Sequence, residues 1–168
     1  MTGLLDSLPL RRALFRIILC CLLFIVAAPA SQEELGSWLE QGHSALENGS
    51  YREAVNFFDQ ALKIDGGNSS AWGGKGIALS RLGRYKMAEM CLGMALKKED
   101  ANPNYWLEDG RAKELGERWS EAMKSYDKAL SLNKSLAHAW LGLANSSLAL
   151  KEYDDAKQLY RNAQGQGL

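Results

Sequence analysis

Cysteine, proline and histidine are scarce in this 168-residue chain, which holds three, three and two of them. Cys20 and Cys21 sit in an apolar N-terminal stretch, so beyond it Cys91 stands alone. No disulfide framework is available, and packing must hold the fold. Net charge is missing as well: 20 Lys and Arg balance 20 Asp and Glu. Nucleic acid requires a basic face, so that partner class is excluded as an expectation. The apolar run Ile17 to Ala28 is only 12 residues long, short of the roughly 18 to 20 that cross a bilayer as a helix.

That run follows Arg11, Arg12 and Arg16 and ends in Ala28-Pro29-Ala30, small residues of the kind a signal peptidase reads. The layout is that of a secretory signal peptide over residues 1–30, with cleavage before Ser31. The alternative is an uncleaved N-terminal anchor that tethers the protein to a membrane through residues 13–30. Arg11-Arg12-Ala13-Leu14-Phe15 is faintly like a twin-arginine signal, but so apolar a run suits the general secretory route better. Without the leader, 17 basic residues face 19 acidic ones, a net charge of −2. The expected location is extracytoplasmic, either secreted or at the cell surface.

Past the leader the chain is periodic. Trp38, Trp72, Trp106 and Trp140 are spaced by 34 residues, and the same step relates Ala54, Ala88, Ala122 and Ala156. It also relates Ala61, Ala95, Ala129 and Ala163, the aromatics Tyr51, Tyr85, Trp119 and Tyr153, and the bulky Phe58, Leu92, Tyr126 and Tyr160. A period of this length marks a repeat architecture. Four residues after each Trp stand Gly42, Gly76, Gly110 and Ala144.

This pattern of Trp, small residue, Ala, bulky residue and Ala resembles the tetratricopeptide family. It departs from that family at the usual junction proline, where Gly66, Asp100 and Lys134 stand; only Pro103 lies near a junction. The expected architecture is all-α, a right-handed α-solenoid of four helix-turn-helix repeats near 35–68, 69–102, 103–136 and 137–168. The helical spacing of apolar residues predicts first helices near 36–48, 70–82, 104–116 and 138–150. Second helices are predicted near 52–64, 86–98, 120–132 and 154–164. Asn48-Gly49-Ser50 and Leu82-Gly83-Arg84 read as turns within units, and Asp65-Gly66-Gly67-Asn68 and Asp100-Ala101-Asn102-Pro103 as junctions between them.

No catalytic constellation is present, and no enzyme activity, cofactor or metal is expected. His43 and His138 belong to the first and fourth units, which stacking keeps apart, and no third or fourth ligand has metal-binding spacing. Gly73-Gly74-Lys75-Gly76 fails as a phosphate loop, because a Gly follows the lysine where Ser or Thr is required and Ser69 stands where the first Gly should be. Adjacent acids such as Glu33-Glu34 and Asp154-Asp155 diverge by about 100° on a helix, so they do not converge on a substrate. Met87, Met90 and Met94 read as gap-filling core or outer-face residues in preference to a metal-thioether site. Asn48, Asn68, Asn133 and Asn145 each begin an Asn-x-Ser acceptor for glycosylation.

Gly76 belongs to the small column, whereas Gly73 and Gly74 have no such explanation. Each interior helical Gly costs roughly 1 kcal/mol relative to Ala. One reading is that the pair lets a ligand backbone approach; the plainer one is neutral drift in a marginal helix. On either, replacement of both by Ala is expected to stabilise the fold.

In the resembled family the concave face, built by the first helix of each unit, commonly holds a peptide or partner segment. Carried onto this chain, that register implies a groove of Leu39, His43, Leu46 and Glu47, then Gly73, Ile77, Ser80 and Arg81. The third unit adds Leu107, Glu108, Arg111 and Glu114, and the fourth His138, Leu141, Asn145 and Leu148. The Lys and Asn pattern of the chaperone-binding carboxylate clamp is absent. The implied function is a non-catalytic interaction scaffold for an unidentified protein or peptide. The alternatives are a membrane-tethered assembly factor and a non-catalytic subunit of a larger enzyme complex. The last unit has no polar capping helix after it, which suggests self-association through the Tyr160 side as one way to cover it.

Overall fold

The computed structural model describes residues 31–167; the leader expected over residues 1–30 lies outside them. Helical structure covers residues 31–47 (α1), Tyr51–Ile64 (α2), Ser69–Arg81 (α3), Tyr85–Leu96 (α4), Pro103–Leu115 (α5), Trp119–Leu132 (α6), Ala137–Ala149 (α7) and Tyr153–Gly165 (α8). No strand occurs among the described residues. The all-α solenoid expected from the repeat is the architecture observed. Boundaries differ from expectation mostly by one residue, because each second helix starts at its aromatic-column residue. The exceptions are α1, which begins at 31 and not near 36, and α4, which ends at Leu96 and not near 98.

The turn inside each unit obeys the same 34-residue register as the columns. The amides of Ser50, Arg84, Arg118 and Glu152 donate to carbonyls five residues back, on Ala45, Leu79, Lys113 and Ser147, at 2.8–2.9 Å. These bonds occupy carbonyls that a helix end would otherwise leave unpaired. The closure puts one residue per unit in the left-handed region: Gly49 and Gly83 at φ 75°, Glu117 at 59° and Lys151 at 67°. Glycine takes this conformation freely, whereas a side chain there costs about 1–2 kcal/mol. Junctions between units use other devices. Asn68 caps α3 by accepting from the Ala71 amide, and Asn102 caps α5, with Pro103 supplying a preset φ at its start.

The tryptophan column holds each junction closed. The indole N–H donates to the carbonyl six residues earlier: Trp72 to Gly66 at 2.9 Å, Trp106 to Asp100 at 2.6 Å and Trp140 to Lys134 at 2.9 Å. Those acceptors are the three residues that stand in place of the family's proline. Trp38, at the first unit, instead donates to the Glu34 side chain at 3.4 Å.

Each of α2 to α7 packs against its successor, and α3 also touches α5, as α5 touches α7. The second helices α2, α4, α6 and α8 make no such direct contacts with one another. Close first helices and splayed second helices curve the stack, placing α3, α5 and α7 on its concave side. The alanine columns are fully or nearly fully buried at these approaches, and Phe58, Leu92 and Tyr126 fill the layers between. No described helix is long and apolar enough to cross a membrane.

Candidate partner-binding groove

Which side chains reach the concave face depends on how bulk is distributed between adjacent units. The Phe58 ring on α2 is buried between two glycines: a Cβ on Gly42 would lie 2.7 Å from it, and one on Gly74 only 2.2 Å. Tyr126 on α6 repeats the arrangement between Gly110 at 2.7 Å and Gly142 at 2.2 Å. Between these two layers the bulky column holds Leu92, and the register position of Gly74 and Gly142 holds Glu108. An aliphatic side chain leaves space that an aromatic ring does not, so here a carboxylate side chain can replace glycine. Tyr105 is a second exchange of bulk: it stands in the register of Ala71 and Ala139, and its ring would meet a Cβ on Gly73 at 2.3 Å.

Gly73 and Gly74 are therefore fully explained by packing, and the ligand-approach reading of Gly73 is corrected. Tyr105 and Phe58 already fill the space these glycines leave. The expected stabilisation on replacement by Ala is corrected as well, since overpacking a ring in a filled core costs about 1–3 kcal/mol. Ser80, also placed in the groove by register, is buried and so leaves it.

A concave pocket of about 540 Å³ opens across α3, α5 and α7. It unites eight of the groove residues expected from the sequence: Arg81, Leu107, Glu108, Arg111, Glu114, His138, Leu141 and Asn145. Leu115, Tyr126 and Gly142, which the register did not suggest, also line it. Tyr126 reaches the wall from a second helix, and the signal for it was the bulky column itself, whose members sit against the glycines of the first helices.

Leu39, His43, Glu47 and Ile77 lie outside this pocket. Leu39 packs on the cluster around Phe58, and Ile77 on the one around Leu92 and Tyr105. His43 stands edge-on to the Phe58 ring at 5.2 Å, with Nε2 3.1 Å from the Ser70 hydroxyl. The Asn145 glycosylation reading is corrected: the Asn145 amide is engaged inside the groove and Ser147 is fully buried.

Glu114 organises the fourth-unit wall. It accepts hydrogen bonds from the Tyr126 hydroxyl and, at 3.1 Å, from the Asn145 amide, while Tyr160 donates to the Asn145 carbonyl oxygen at 2.8 Å. Burial, reinforced by the bond to the Glu114 carboxylate, pushes the Tyr126 phenol far above its ordinary pKa. Glu108 pairs through one oxygen with Arg81 at 3.2 Å, and its other oxygen is buried with no hydrogen-bond partner. A buried acceptor left unpaired costs about 1–3 kcal/mol. The pocket thus offers three leucines, the Arg81–Glu108 ion pair and the Arg111 guanidinium. These are the components that seat an extended segment by apolar anchors and main-chain or side-chain hydrogen bonds. Among the described residues no three His, Cys, Asp or Glu side chains group to hold a metal ion.

Models of the tetratricopeptide repeat match residues 45–109 and 110–167. DnaJ homolog subfamily C member 7 of Mus musculus is 27% identical over 125 residues, covering 74% of this chain but 25% of the mouse protein. The tetratricopeptide repeat-containing protein trd-1 of Caenorhabditis elegans is 26% identical over 102 residues, 60% of this chain and 13% of the nematode protein. This chain therefore spans at most about a quarter of the length of these curated relatives. In structure it is similar to MamA (41-end) of Desulfovibrio magneticus RS-1, with a TM-score of 0.73 and 20% identity over 79% of this chain and 75% of that one. The Arabidopsis OM64 TPR domain superposes with a TM-score of 0.67 at 25% identity, over 69% of this chain and 96% of that domain.

Proposed function

The chain belongs to the tetratricopeptide-repeat family, whose repeats mediate protein–protein interaction, and on that premise we propose that it is an exported, non-catalytic scaffold that holds an extended partner segment in its concave pocket. The observation that carries this reading is the pocket on α3, α5 and α7, where Leu107, Leu115 and Leu141 stand beside Arg111, Glu114 and Asn145. Apolar anchors supply affinity there and the polar groups fix register. The polar side chains around Asp109 offer no competing reactive centre. Asp109, Lys113 and Ser125 bond one another at 2.5–3.0 Å between α5 and α6 and serve as structure.

Export rests on the leader sequence alone. Expression in an exporting host, followed by intact mass and fractionation, tests it. A product starting at Ser31 in the soluble exported fraction supports a free adaptor, and an uncleaved product in the membrane fraction supports the tethered assembly factor. Groove use is tested by Leu107→Asp with Leu141→Asp, both half-buried at the pocket. The double variant should keep wild-type helicity and lose the partner that co-purifies with the wild-type chain from its native host. Retention of that partner would move the binding surface elsewhere.

A further inference from the structure

The outer face of α4 carries a feature that the groove does not use. Met87, Met90 and Met94 are 49%, 74% and 41% exposed; they stand on the outer face and fill no gap in the core. At 100° per residue these positions fall within an arc of about 60° on the helix. Side chains three and four residues apart on a helix have Cβ atoms about 5–6 Å apart, and flexible thioether arms can bring their sulfurs closer still. The same face is clear of obstruction: a Cβ at Gly93, on the adjoining stripe, would meet nothing within 4 Å. The nearest carboxylate on the helix, Glu89, is already engaged by Arg118. Lys97 reaches Met94 Sδ at 3.8 Å from an exposed position and is free to swing away.

We propose that Met87, Met90 and Met94 form a thioether site for a soft monovalent d10 metal ion of the copper(I) class. Three neutral sulfur donors without a hard oxygen or imidazole among them select such an ion over zinc, magnesium or calcium. The site lies on the convex side, so it can load while the concave pocket is occupied. Cys91 borders the same face but is buried against Leu79, Ala88 and Ala112. Burial raises the pKa of its thiol, with a smaller opposing effect from Lys75, so the cysteine resists metallation and the thioethers carry the site.

The test uses silver(I), a redox-inert ion of the same class, with the full-length chain carrying Cys20→Ala, Cys21→Ala and Cys91→Ala so that no thiol competes. Native mass spectrometry should show a single silver ion bound. With methyl-labelled methionine, the NMR signals of Met87, Met90 and Met94 should shift together while that of Met123, on α6, stays in place. Adding Met87→Leu, Met90→Leu and Met94→Leu preserves an apolar outer face and should abolish the adduct with unchanged helicity. Silver that still binds the leucine variant, a shift confined to one methionine, or no silver adduct on the cysteine-free chain would each overturn the proposal.

Discussion

The two outer layers of the solenoid and the middle one solve the same packing problem in opposite ways. Between units one and two, Phe58 fills the space and Gly74 yields to it; between units two and three, Leu92 is smaller and Glu108 occupies the register of that glycine. Units three and four return to the first solution with Tyr126 and Gly142. The columns are therefore coupled, and bulk lost from one is regained by another. The middle layer also adds an ion pair to the concave pocket, Glu108 with its Arg81 partner. A carboxylate stands there where the two outer layers demand glycine.

The largest expected effect comes from emptying the tighter layer. Phe58→Ala should cost about 3–5 kcal/mol, read as a fall in denaturant midpoint at constant slope, because the cavity opens between two glycines that cannot refill it. Overfilling the same layer is next. Gly74→Ala should destabilise by about 1–3 kcal/mol, and most of that penalty should vanish when Phe58→Leu recreates the arrangement of the middle layer. Additive effects in this double-mutant cycle would show that the two columns are not coupled.

A third test separates the two aromatic layers by pH, since Tyr126 titrates and Phe58 does not. The Tyr126 phenol has a raised pKa when folded, so its contribution is complete below the ordinary tyrosine value of about 10 and is lost as pH climbs beyond it. Thermal melts of the wild type should therefore fall steeply in alkali, and Tyr126→Phe should flatten part of that slope. An unchanged slope would place the alkaline sensitivity in another group. The smallest effect contrasts the turns of the first two units with those of the last two. Glu117→Gly and Lys151→Gly relieve left-handed strain, offset by glycine's backbone entropy, and each should stabilise by up to about 1 kcal/mol. Ala at either position should not reproduce the gain.

Much of the fold was legible because it is written in register. Trp, Ala and bulky columns at a fixed step located all eight helices, and the turns at Gly49 and Gly83 declared themselves by residue type. Glu117 and Lys151 hold the same conformation without that signal, so only the period reveals them. The glycine pair Gly73-Gly74 was misread because its partners are distant in the chain: Phe58 is 16 residues before Gly74, and Tyr105 is 32 after Gly73. Comparison down the columns would have exposed both, since Tyr105 is the large residue in an alanine register and Gly73 the small one in a leucine register. The groove was legible from the first-helix register for units three and four. In unit one it was not, because Leu39 turns to the core around Phe58 and His43 is taken up by contacts with Phe58 and Ser70.

The measurement that bears most directly on the whole account is a backbone NMR map of the chain titrated with a peptide selected against it from an unbiased display library. The account predicts that shifts concentrate at Leu107, Arg111, Leu141 and Asn145, with the outer faces of α4, α6 and α8 unmoved. Shifts centred on those outer faces, with the pocket silent, would contradict it.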